Sequence, residues 1–120
     1  GSLHQDISGF YAETPQFYTV FPKKYVRIES EARLAQILKS DSIRVNALHR
    51  QAVDKLGKNI RIAALEKNQV IQAIEHTFLP FTLGVQWHPE YLPQHNFQQN
   101  IFKALVNASR RWRRSYQRIE

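Results

Sequence analysis

The chain has 120 residues, 42% of them hydrophobic, 22% charged and 12% aromatic, with a formal net charge of +7. That length and composition fit one globular domain able to bury about two-thirds of its unfolded surface, not a disordered or collagenous chain. Cysteine is absent, which excludes disulfide frameworks, thiolate metal sites and a cysteine nucleophile within these residues, and no apolar run approaches the roughly 18 residues of a membrane helix.

In chain order, Gly1 to Pro22 is aromatic and irregular, broken by Gly9, Pro15 and Pro22. Tyr25 to Ile28 reads as a short strand. Ser30 is placed to cap a helix with Glu31 in its first turn; Leu34, Ile37 and Leu38 give its apolar stripe, and it ends near Lys39. Ile43 to Val45 is a second strand, and Asn46 to Gln51 a loop or turn. Ala52 to Leu56 is expected to be a short helix stopped by Gly57. Residues 59–66 and 70–75 alternate around the polar turn Lys67-Asn68-Gln69 and predict a hairpin. Phe81 to Trp87 is an apolar strand. Asn96 to Arg118 is a long helix with Phe97, Ile101, Leu105 and Val106 inside, and Trp112 continuing that stripe. Strands with two flanking helices predict an α/β sheet structure.

The charge is concentrated at the end. Lys103 to Glu120 holds six basic residues and one acid, leaving eleven basic and nine acidic residues for the rest. Arginines interleaved with Trp112 and Tyr116 could grip phosphates and stack bases. A solvated last helix whose cations suit its C-terminal dipole is the stronger reading, so nucleic acid is not the expected partner.

The chemistry centres on His88. It follows the apolar strand and precedes Pro89, which pushes it to extended geometry. In an extended segment residues i and i+2 share a side, so Glu90 can approach the His88 ring. A carboxylate beside an imidazole holds its tautomer and supports its protonated form. That makes two members of a nucleophile–base–orienter set. A strand end followed by a proline turn with an exposed acid fits the same residues. His4, His76 and His95 read as ordinary surface or core histidines.

Gly84-Val85-Gln86-Trp87-His88-Pro89-Glu90 resembles the histidine–glutamate motif of the class I glutamine amidotransferase superfamily. Val45-Asn46-Ala47-Leu48-His49-Arg50-Gln51-Ala52 resembles the Val-Asn-Ser-x-His-x-Gln segment of its γ-glutamyl-γ-aminobutyrate hydrolase (peptidase C26) branch, with Ala47 where serine is often found. Gly1-Ser2-Leu3-His4-Gln5-Asp6 resembles a third stretch of that branch. The resemblance implies that residues 1–120 are the C-terminal portion of a flavodoxin-like amidotransferase domain, with flanking helices and the cysteine-bearing half absent. It implies a γ-glutamyl amide hydrolase in which His88 is base and acid and Glu90 its orienter. His49, Gln51 and Asn46 become candidate substrate-binding residues, although hydrogen bonding that ties their loop to the sheet explains them equally well. The implied substrate is a small γ-glutamyl amide, with no metal and no cofactor.

Two other readings compete. One is a glutaminase subunit or domain that delivers ammonia to a synthetase; Trp87 and the 46–51 segment argue against it. The other is a non-enzymatic module that binds through its basic helix. With no leader and no membrane span the expected compartment is the cytoplasm. Without a methionine the chain is expected to be a processed product or a piece of something longer. By itself it should be inactive. The expected companion is the missing half or a second copy, and the Phe10 to Phe21 segment is expected to be the most easily displaced.

Overall fold

The protein is described by a computed structural model over residues 1–11, 19–92 and 95–119; residues 12–18, the centre of the aromatic opening segment, lie outside the described residues. Five strands form one sheet in the order β3-β2-β5-β6-β7: β2 (Thr19–Ile28), β3 (Ser42–Ala47), β5 (Ile60–Leu65), β6 (Ile71–His76) and β7 (Leu83–Val85). Every pairing between them is antiparallel. The short strands β1 (Leu3–His4) and β4 (Ala52–Val53) pair separately. Helices α1 (Arg33–Leu38) and α2 (Asn96–Ile119) complete the α/β composition that the sequence predicts.

Alternation builds the core. Val26 and Ile28 of β2 and Ile43 and Val45 of β3 point inward, while Tyr25 and Arg44 face solvent. Leu34 and Leu38 of α1, Ala63, Ala64, Ala73, Trp87 and Ile101 of α2 close the same cluster. Strand β6, between β5 and β7, is covered on both faces, as Ile71, Gln72 and Ala73 are all buried. A smaller cluster of Ile7, Tyr11, Ala52 and Val70 seats the N-terminal turn.

Several elements differ from their sequence signals. Strand β2 begins at Thr19, well before Tyr25, and tolerates Pro22 because its register against β3 shifts between Thr19 and Lys24. A proline has no N–H to donate, so it fits where the ladder is already broken. Residues 52–56 are not a helix. Ala52 and Val53 pair with His4 and Leu3, and Ser2 O accepts the Asp54 N–H at 2.9 Å. Five residues make too little helix to outweigh a strand partner.

Helix α1 starts at Arg33, not beside Ser30. Its free N–H groups are taken by the buried Glu75 carboxylate, from Arg33 at 2.9 Å and Leu34 at 3.2 Å. The apolar segment 81–87 is strand only at Leu83–Val85. Leu105, Val106 and Trp112 of α2 are 48%, 47% and 68% exposed, because the helix runs past the sheet that covers Ile101.

Candidate active site

After β7 the chain leaves the sheet. The last ladder bond is from Gln86 N to Gln72 O, at 2.8 Å. His88, with φ −111° and ψ 89°, is neither helical nor in the regular extended conformation expected before Pro89, and Pro89–Tyr91 then forms one 3-10 turn. This turn, rather than a continued extended run, carries Glu90 back to the ring. His88 Nδ1 and Glu90 Oε1 are 2.8 Å apart. Tyr91 stacks on the imidazole with ring centroids 5.4 Å apart. A carboxylate only accepts, so Nδ1 carries the proton toward Glu90, and Nε2 has no hydrogen bond from the described residues. The Glu90 carboxyl is held below its ordinary range by its own backbone N–H first and by the His88 side chain second. Half-exposed, it stays ionised beside the ring.

Asn46, at the end of β3, is fully buried and lies against the same segment. Its Nδ2 donates to His88 O at 2.9 Å, and its Oδ1 accepts the His88 N–H at 2.7 Å. The preceding Trp87 is buried too, and its indole N–H donates to Gln98 Oε1 of α2 at 2.9 Å. A side chain with no exposed surface offers no face to a substrate, so Asn46 departs from the substrate-contact role expected of it.

His49 and Gln51 lie beside this segment but are also engaged. The Gln51 carbonyl sits 2.8 Å from His49 Nδ1, which fixes the proton on that nitrogen. His49 Nε2 then accepts from the Gln72 amide at 3.2 Å. The Gln51 side chain donates to Gln5 Oε1 at 2.7 Å. All three candidates from the 46–51 segment are therefore tied to protein groups.

Beneath His49 is a polar cluster with no local sequence signal. Gln72 donates to Glu66 at 2.6 Å, Glu66 pairs with Lys24 at 3.0 Å, and the Tyr11 hydroxyl donates to Glu66 at 2.9 Å. Burial, and then the Glu66 charge, push the Tyr11 phenol far up, so it remains a donor. Burial pushes His49 down, and the positive character of Lys24 and His88 adds to that; the Gln51 carbonyl and Glu66 oppose it. His49 is thus neutral at pH 7. Among the described residues no group of three or more His, Asp or Glu side chains converges to hold a metal ion.

Gln98 and Gln72 were not candidates from the sequence. Gln98 carries a weak signal, since it sits three residues before Ile101 on the inner stripe of α2. Gln72 stands on a strand buried on both faces, which only the sheet order reveals.

The family model of peptidase C26 matches residues 1–90. A Rickettsia prowazekii protein described as glutamine amidotransferase-like is 42% identical over 86 residues, covering 71% of this chain and 31% of its own length. The γ-glutamyl-γ-aminobutyrate hydrolase of Escherichia coli is 28% identical over 98 residues, or 80% of this chain and 39% of its own. The chain thus spans about a third of the length of these relatives. Among solved structures, a Thermoplasma acidophilum protein described as a GMP synthase subunit superposes with a TM-score of 0.71 at 18% identity, over 97% of this chain and 52% of that one. At that identity the likeness is one of fold.

Proposed function

This chain belongs to the peptidase C26 family of glutamine amidotransferase-like proteins, and from that membership we propose that it supplies the histidine–glutamate part of a cysteine-dependent γ-glutamyl amide hydrolase. The observation that carries the reading is the 2.8 Å contact of His88 Nδ1 with Glu90, which leaves Nε2 open as a base. The thiol comes from a segment outside these 120 residues, since none of them is cysteine.

His88 Nε2 takes the thiol proton, and the thiolate attacks the γ-carboxamide carbon. The tetrahedral adduct collapses to a thioester as the C–N bond breaks, and His88 returns the proton to the departing amine. Water then gives a proton to His88 as its oxygen attacks the thioester carbonyl. The γ-carboxylate leaves and the thiol is restored. Glu90 keeps the ring in the Nδ1–H tautomer and stabilises the imidazolium present between these steps.

Turnover of a γ-glutamyl anilide tests this. The full-length protein bearing the cysteine segment should hydrolyse it, and His88→Ala should abolish turnover. Glu90→Gln should lower kcat by about 100-fold, the lower end of what positioned acid–base chemistry contributes. The 120-residue chain alone should be inert. Hydrolysis by material shown by mass to be only this chain would overturn the nucleophile assignment.

A further inference from the structure

His88 stands outside the sheet, yet its backbone is not free. Beyond Gln86 no strand among the described residues pairs with residue 88, and from the backbone its carbonyl takes only the turn bond of the Tyr91 N–H, at 3.2 Å. Asn46 replaces the missing strand, because its amide carries a donor and an acceptor at one end, as a peptide unit does. Both are used, at 2.9 Å and 2.7 Å. Two bonds from one rigid amide set the orientation of the His88 backbone as well as its place. Asn46 belongs to β3 and His88 follows β7, the two opposite edges of the five-stranded order. The segment after β7 therefore crosses to reach β3, at the other edge of the sheet, at this residue pair. The indole of Trp87 on Gln98 gives a second anchor, from α2.

We propose that Asn46 is a positioning residue for His88: its buried side-chain amide fixes the backbone from which the imidazole projects toward Glu90. This rests on the reading of His88 as the catalytic base. No other side chain of similar size does the same. Aspartate keeps the acceptor and loses the donor, leucine keeps the volume and loses both, and glutamine is a methylene too long.

The test uses Asn46→Leu and Asn46→Asp in the full-length protein, with the imidazole nitrogen signals of His88 followed by NMR. Asn46→Leu should lower kcat by about 100-fold, the scale of a displacement of about 1 Å at a reacting group, with KM nearly unchanged. The His88 Nδ1–H signal should lose its hydrogen-bonded position. Asn46→Asp, which retains the bond from His88 N–H, should recover part of kcat and of that signal. If Asn46→Leu does not fold, the aspartate variant still decides: a kcat and His88 signal identical to wild type would overturn the proposal. So would kcat and KM changing together while the His88 signal stays put, since that marks a merely structural loss. Failure of the functional reading looks different: His88→Ala would remain active, whatever the Asn46 variants do to the imidazole signal.

Discussion

At the scale of single residues, His49 shows how far spacing carries an inference. The segment Asn46 to Gln51 attracts attention in the sequence, but both nitrogens of the His49 ring are claimed by Gln51 O and the Gln72 amide. The Gln72 contact comes from 23 residues away and has no local signal. The His88–Glu90 contact was legible because the two residues are so near in sequence, although a 3-10 turn and not an extended run brings them together, and the remote groups that hold the His88 backbone left no local signal. The lowered pKa of His49 has a consequence for stability with a definite sign. Above pH 6.5, its ordinary value, folded and unfolded forms are both neutral and nothing is gained. Below it the unfolded chain takes a proton that the folded chain resists, so stability falls until the pH drops through the folded value. Thermal unfolding between pH 7.5 and 5.5 should show a Tm that declines on acidification, and the decline should be smaller in His49→Gln. Equal declines would exclude His49 as the source.

Among the elements, those with a full period in the sequence were read well. The 59–66 and 70–75 hairpin forms β5 and β6, the Leu34–Leu38 stripe forms α1, and the last helix forms α2. The failures share a cause. Residues 52–56 and the start of β2 depend on partners remote in sequence, β1 for one and β3 for the other. The cap of α1 likewise comes from Glu75, 42 residues from Arg33. The end of α1 was legible near Lys39, which closes it in the left-handed region with φ 54° and ψ 38°. A lysine Cβ is strained there and glycine is not. Lys39→Gly should therefore stabilise the protein by about 1 kcal/mol, enough to raise Tm by a few degrees. Lys39→Ala, which retains the Cβ, should leave Tm near wild type. A Gly variant that melts no higher than the Ala variant would show that this turn stores no strain.

For the whole molecule, the α/β class followed from strand and helix signals, but the order of the sheet did not. Alternation says which face of a strand is buried, not which strand lies beside it. The described pairings place β3 and β7 at opposite edges, and only the Asn46–His88 contact shows that the segment after β7 reaches β3. That closure gives the molecule an internal clock. His88 lies in a loop, where an amide hydrogen ordinarily exchanges with water as fast as local fraying allows. Its N–H is instead held by a fully buried oxygen on the far side of the sheet. For that hydrogen to leave, the buried Asn46 side chain of β3 must part from the segment after β7, which uncovers part of the interior. The His88 amide should therefore exchange as slowly as the central amides of β5 and β6, at a rate that tracks global unfolding across denaturant. Exchange in step with the exposed turn at Lys67-Asn68 would show that the edges breathe apart on their own. A slow His88 amide would make the readiness of the site and the integrity of the fold a single equilibrium.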